Sequence, residues 1–317
     1  TTGIYNAWIS FDDLALANQL SFYLLIFILG LFVLENLSRK KAQYHSPAKG
    51  GFKKKSKSIL KGYRAILAFS FCALIFFISF LFPVLQMLYW TIIFPKHLAD
   101  LNLIELFFNT TILVFLSSIV LISFAFISNY GNRLSKSKFL EILTTFSISG
   151  YAMPGIILAV AFITFISWFD NNIVAYFKLE TIKSIFIGSI IGLVVVYFIR
   201  FYSLASNGIK SGYLKISYSI DESAYLLGYS KFKTFKDIHI PYLKNSILLI
   251  GILIAIEIIK ELPITLIMRP FNFETFATQA YIYASQDLLE AAAAPSLFLI
   301  LIASFFILIT SRYILKD

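Results

Sequence analysis

Seven long apolar runs dominate this sequence, near Leu20–Leu37, Ala65–Phe94, Asn109–Tyr130, Leu143–Phe169, Ser184–Ala205, Asn245–Met268 and Ser296–Leu315. Each has about the 18 or more residues that a helix needs to cross a bilayer core. The runs are continuous rather than alternating, which is the pattern of membrane helices and not of barrel strands. Charged residues make up only 14% of the 317 and apolar ones 59%, where a soluble protein carries about 25% charged residues. The mean hydropathy is +0.81, and the chain reads as an integral membrane protein. Pro83 in the second run and Pro154-Gly155 in the fourth are expected to disturb their helices, where a neighbour or a cavity can satisfy the freed carbonyls.

Charge placement orients the spans. The great majority of the 27 Lys and Arg residues fall in 36–64, 131–142, 200–244 and the end of the chain, which places those segments and the C-terminus in the cytoplasm by the positive-inside rule. Seven spans leave the N-terminus outside. The chain opens on Thr1 with one outside-to-inside helix ahead of a basic stretch, so it is expected to be part of a longer protein. That stretch, from Arg39-Lys40-Lys41 to Lys57 with Pro47, Gly50 and Gly51 inside it, has linker composition. Between two membrane helices it reads as a juxtamembrane linker on the anionic leaflet rather than a nucleic-acid binder. The expected division is 1–37 for the outer segment and first helix, 38–64 for the linker and 65–317 for the remaining membrane domain. The lone Cys72 sits inside an apolar run, which leaves no disulfide framework and no thiolate metal site. His45, His97 and His239 are scattered and expected at solvent-facing or interfacial positions.

The polar segment between the fifth and sixth runs carries the densest local signals. Ser219 followed by Glu222 has the spacing of a capping box, opening a helix over Ile220–Leu227. Gly228 supplies a positive φ to end it. Ser230 can cap a second short helix that carries Phe232, Phe235 and Ile238 on one face. Pro241 fits the first turn of the membrane helix that follows. The product is an L-shaped pair of helices with exposed aromatics, suited to a partner's groove; an ordinary connection between two spans would use the same capping chemistry.

The spacing Glu222-Ser223-Ala224, then Gly228, then Ile238 and Ile240-Pro241 resembles the cytoplasmic "EAA" loop by which permease subunits of binding-protein-dependent ABC importers grip their ATPase. Ser223 stands in place of that family's first alanine and Ile240 in place of the usual leucine, swaps that leave the turn chemistry intact. Further landmarks are similar to the C-terminal half of the fused, two-repeat permeases of ferric-iron ABC importers. They are the opening Thr-Thr-Gly-Ile-Tyr, Pro83-Val84-Leu85-Gln86, Tyr151-Ala152-Met153-Pro154-Gly155, Val196 to Phe201, Lys260-Glu261-Leu262-Pro263 and Arg269 to Thr275. The resemblance implies an all-α polytopic membrane fold of about seven transmembrane helices, one from an upstream repeat and six forming a type I (MetI-like) permease domain with a coupling loop at about 215–244. It implies a bacterial plasma membrane location and four partners: ABC ATPase subunits, an extracytoplasmic substrate-binding protein, the upstream permease repeat and the lipid bilayer. Two ATPase subunits closing on ATP would drive the permease halves from inward-facing to outward-facing. The resemblance implies ferric iron as the cargo, with thiamine, phosphonate or polyamine as the alternatives, because importers of those substrates resemble this architecture too.

No Gly-x-x-x-x-Gly-Lys-Ser/Thr phosphate loop occurs in the chain. It is therefore expected to bind no cofactor itself and to leave ATP hydrolysis to a separate subunit. Glu257, Lys260 and Glu261 lie within the sixth run at helical spacings of three and four, followed by Pro263. Charges at that depth either form a structural ion pair or line a substrate path. The outer segment 269–294 reads as an interfacial helix, capped by Ser285 over 286–294, or as a docking surface for the binding protein. An ion-coupled secondary transporter using Glu257 and Glu261 is the rival class, but it has no use for a two-helix docking corner. An intramembrane enzyme is disfavoured by the absence of His-Glu-x-x-His, Gly-x-Ser-x-Gly and paired membrane aspartates.

Overall fold

The computed structural model describes residues 2–41, 60–135, 139, 144, 147, 149–177 and 186–314. Residues 42–59 of the basic linker, His45 among them, and the expected starts of the fourth and fifth spans at Leu143 and Ser184 lie outside the described residues. The described residues form helices joined by short turns. In order they are α1 (Thr2–Ile9), α2 (Leu14–Lys41), α3 (Tyr63–Ile93), α4 (Pro95–Ala99), α5 (Leu103–Ser135), α6 (Gly155–Phe177), α7 (Ile190–Tyr213), α8 (Tyr218–Leu226), α9 (Lys231–Ile259), α10 (Pro263–Met268), α11 (Phe276–Ser285) and α12 (Leu289–Ile314). Six of them, α2, α3, α5, α7, α9 and α12, are long and apolar enough to cross a membrane. In the place of the fourth expected span stands α6, whose apolar stretch Gly155–Asp170 is shorter.

Local chemistry sets the helix starts. Asp13 Oδ1 accepts from the Leu16 amide at 2.8 Å at the head of α2, and Asn102 exchanges hydrogen bonds with the amide and carboxylate of Glu105 at the head of α5. Gly188, at φ 67°, turns the chain into Ser189, whose hydroxyl accepts from the Gly192 amide to open α7. Such side chains occupy donors that a helix leaves unsatisfied in its first turn. Two helices contain a π turn, Phe77–Leu81 in α3 and Phe235–His239 in α9, and each ends two residues before a proline, Pro83 and Pro241. Proline lacks an N–H and crowds the carbonyl four residues back, and opening the ladder by one residue relieves both. The disturbance expected at Pro83 takes this form. Pro154 does not interrupt a helix, because α6 begins after it at Gly155, behind a short 3-10 turn at Ser149–Ala152.

The centre of the molecule is the trio α5, α7 and α9, which pack on one another. Leu113, Leu121, Leu193, Tyr197, Phe201, Ile209, Leu243 and Ile254 meet there, all buried. Because lipid is as apolar as leucine, helices in a membrane are held by close packing and by polar links more than by water expulsion. Both devices are present. Gly208 and Gly212 let α9 approach α7 so closely that a Cβ at Gly208 would stand 2.5 Å from Ile250 Cγ1, and one at Gly212 would stand 2.8 Å from Leu243 Cδ2. Between α5 and α7, Asn129 Nδ2 donates to Ser206 Oγ at 3.1 Å, and the Tyr202 hydroxyl donates to Ser128. α6 packs against α10 and α7, α2 lies on α6, and the second half of α3 lies on α12. No side chain of α3 is buried within the chain, so its apolar surface is left for lipid or another chain.

Replacement of Gly208 by valine is expected to destabilise the detergent-solubilised protein by about 1–3 kcal/mol, the usual effect of overpacking. Gly251→Ala should be near neutral, because its Cβ would meet Ile122 Cδ1 at an ordinary 3.6 Å. Thermal unfolding followed by size-exclusion chromatography separates the two outcomes.

Candidate functional site

The corner between α7 and α9 is built from short-range signals. α8 starts at Tyr218 with Ser217 as its cap, the hydroxyl accepting from the Ser219 amide at 3.3 Å. This corrects the expected Ser219–Glu222 capping box: Ser219 lies within the helix's first turn, and Glu222 projects from it exposed. The end of α8 is as expected. Gly228 has φ 82° and its amide bonds back to the Tyr225 carbonyl, while the Tyr229 amide reaches the Ala224 carbonyl at 3.0 Å. This is the left-handed glycine closure of a helix. Ser230 then caps the next helix, accepting from the Lys233 amide at 3.2 Å. That helix is not a separate short element, because it continues through the π turn into the membrane-length helix α9.

The expected face of Phe232, Phe235 and Ile238 divides. Phe232 is exposed, while Phe235 turns inward against Phe126 and Tyr130 of α5, and Ile238 is half-buried. Of the other corner residues, Ser223 is exposed and donates to the Ser219 carbonyl at 2.8 Å, Ala224 is buried and Pro241 is exposed. Leu226, Leu227 and Phe232 are instead the most exposed apolar residues on the two sides of the Gly228 turn, at 89%, 78% and 73%.

One buried cluster ties this corner to the core. Asp221 of α8 receives Arg133 Nε from the end of α5 at 2.6 Å on Oδ2, and His239 Nε2 from α9 at 2.7 Å on Oδ1. All three side chains are almost wholly buried, and His239 has no exposed surface. The expectation of a solvent-facing or interfacial His239 is therefore corrected. A carboxylate only accepts, so the Nε2 of His239 carries a proton and donates it. Arg133 also donates to the Ser217 carbonyl at 3.0 Å and lies over the Tyr218 ring at 4.3 Å, while Tyr130 of α5 donates to the Lys231 carbonyl at 2.6 Å. Arg133, Asp221 and His239 escape a sequence reading because they stand 88 and 18 residues apart along the chain. The signal was confined to Asp221, an acidic residue in a first turn where the helix dipole favours it.

The three charges of the sixth run take different partners. Lys260 Nζ meets Glu257 Oε1 at 2.7 Å and is half-exposed. Glu261 lies where the chain breaks between α9 and α10, is buried, and faces Arg200 of α7 with Nε at 3.5 Å. Gly155 makes room for that pair, since a Cβ there would come within 2.2 Å of Arg200 Nη1 and 2.7 Å of Glu261 Oε1. Nearby, the hydroxyls of Tyr197 and Thr265 bond to each other. Arg200, Tyr5, Gly155, Leu262 and Tyr281 line a cavity of about 330 Å³. On the outer segment, Ser285 closes α11 rather than capping a helix over 286–294; its hydroxyl donates to the Ile282 carbonyl at 2.8 Å. The next helix starts at Leu289. Among the described residues, no group of three or more His, Cys, Asp and Glu is placed to hold a metal ion.

The all-α, multi-pass fold is similar to that of chains in solved bacterial ABC transporters, two of which illustrate the likeness. One is a bacterial ABC transporter involved in the import of the acidic polysaccharide alginate, matched at TM-score 0.60 and 16% identity over 78% of this chain and 96% of that one. The other is a bacterial alginate ABC transporter in complex with an alginate pentasaccharide-bound periplasmic protein, matched at TM-score 0.63 and 16% identity over 78% and 93%. In sequence, the chain is similar over its full length to the Fe(3+)-transport system permease protein FbpB 2 of Haemophilus influenzae, at 21% identity. It spans 60% of the length of that relative. No protein-family model matches the chain.

Substituting Asp221 by alanine leaves the buried Arg133 without a counter-charge, which typically costs about 3–5 kcal/mol. The expected result is faster amide exchange and proteolysis in 215–240 with membrane insertion unchanged. Exchange mass spectrometry on the solubilised protein measures it.

Proposed function

We propose that this chain is the membrane permease part of an ATP-driven importer supplied by an extracytoplasmic binding protein, with segment 215–244 as the corner gripped by an ATPase subunit. The observation that carries this is the outward surface of Leu226, Leu227 and Phe232, fixed on a Gly228 turn and left uncovered by the rest of the chain. Large apolar side chains left exposed on both sides of one turn, outside the membrane-length stretches, favour a partner's surface over water. The fold likeness to alginate ABC transporters and the spacing of Glu222, Ser223, Ala224, Gly228, Ile238 and Pro241 favour the same reading.

The proposal places the protein in a bacterial plasma membrane with the corner and C-terminus on the cytoplasmic side. An upstream permease repeat precedes residue 38, and the six-helix permease domain occupies 65–317. Ferric iron is the proposed cargo, supported by the Fe(3+)-transport name of a sequence relative matched over 60% of its length and by the Lys260-Glu261-Leu262-Pro263 and Arg269–Thr275 landmarks. Within the membrane, Glu261 serves as the structural partner of Arg200, whereas the more exposed pair Glu257–Lys260 faces the translocation path. Broken helices such as α9–α10 occur at membrane depth where they border a cavity or packed protein.

The complete permease, extracted in mild detergent, should carry an ATPase subunit with it. Leu227→Asp should lower that capture by about tenfold or more, as loss of an interface anchor does. An extract with no ATPase would refute the permease reading, and uptake of labelled ferric iron by cells holding the whole system decides the cargo.

Glu257→Gln is expected to depress uptake with ATPase capture unchanged. Glu261→Gln is expected to lower thermal stability, because it removes the charge facing a buried guanidinium. Paired uptake and melting measurements distinguish the two roles.

A further inference from the structure

We infer that α5 is the rod that passes motion between the coupling corner and the outer segment, with Arg133 as its inner positioning residue and Asn109 as its outer one. This rests on the importer reading. At the inner end, Arg133 holds Asp221 at 2.6 Å and the Ser217 carbonyl at 3.0 Å, and Tyr130 holds the Lys231 carbonyl. The corner is thereby fastened to a helix that does not adjoin it in sequence. At the outer end, Asn109 Nδ2 donates to the Glu274 carbonyl at 3.0 Å, and the Phe276 amide donates to Thr110 Oγ1 at 3.4 Å. Leu106 packs with Phe276 and Ala294. Glu274 is itself locked by an ion pair to Arg269 and by a hydrogen bond from Thr278 at 2.8 Å. The outer segment is thus a braced unit with α5 bonded into it.

The alternatives are poorer conductors. The helices joined covalently to the corner are α7 and α9. α9 contains the Phe235–His239 π turn and breaks at Lys260–Leu262 before the chain reaches the outer segment. α7 begins at Ile190, and its contacts beyond the core are with α6, α10 and the 149–152 turn. α5 runs 33 residues without proline or a π turn, a length of about 50 Å. Packed helices bonded at both ends move as rigid bodies, so a displacement of Asp221 moves Asn109 and the reverse.

The test uses the complete permease with its ATPase and binding-protein partners, reconstituted in lipid vesicles. It compares ATP hydrolysis with and without the binding protein, so the identity of the cargo does not enter. Arg133→Gln and, separately, Asn109→Ala should each lower the stimulation ratio about fivefold or more, measured per complex that retains the ATPase. The double substitution should be no worse than either single one, because each cuts the same route. Arg133→Lys, which keeps the charge but not the fork of donors, should recover part of the ratio. An unchanged ratio in both single variants overturns the inference. So does loss of captured ATPase with an unchanged ratio in the complexes that remain, which assigns these residues to folding alone. Absence of ATPase from the unsubstituted complex removes the importer reading and this inference with it, and is recognised because it needs no substitution.

Discussion

The geometry of the corner depends on one buried carboxylate. α8 has nine residues, well short of the roughly 12–15 at which an isolated helix becomes even marginally stable. Capping by Ser217 and closure at Gly228 define where it starts and stops but not where it sits. Its position is set by Asp221, which accepts from α5 through Arg133 and from α9 through His239. Three elements meet at one side chain, and each lone pair used on it is a constraint on direction. The desolvation of Arg133 and Asp221 is offset by charge-assisted bonds and by the aromatic rings of Tyr213 and Tyr218 beside the guanidinium.

Deeper in the chain the same logic is applied more sparingly. Arg200 and Glu261 face each other at 3.5 Å, longer than a hydrogen bond, beside a glycine that lacks the Cβ needed to separate them. The pair sits where α9 gives way to α10, so a helix break, a buried charge and a cavity coincide. Elsewhere the spans are held by Gly208 and Gly212 and by single hydroxyl and amide links such as Asn129 to Ser206. This pattern suits a solvent that offers no hydrophobic reward for helix association.

Much of this was legible in the residue order, and the exceptions have a common cause. Six of the seven expected spans, the turn at Gly228 and the Ser230 cap follow from local composition and from φ preferences that act within a few residues. The Ser217 cap was missed because Ser217 and Ser219 offer the same hydroxyl two residues apart, and local chemistry does not choose between them. Asp221, Arg133 and His239 were not joined because their partnership exists only after three helices have packed. Glu257, Lys260 and Glu261 share one helix face by spacing, and Pro263 signals a disturbance there, but not that the break at Lys260–Leu262 turns Glu261 toward Arg200 of α7. Phe232 and Phe235 illustrate the same point on a smaller scale, since their spacing alone does not say which of them the core of α5 will claim.

The π turn at Phe235–His239 re-phases everything that follows it. A π turn holds one surplus residue, and at 3.6 residues per turn that rotates later side chains by about 100° relative to an uninterrupted α-helix. A hydrophobic stripe traced through Lys231–Ile259 at constant period is therefore out of register on the two sides of His239. The stretch before it is aimed by the corner and the stretch after it by the packing of α7, so one continuous helix answers to two separate sets of neighbours.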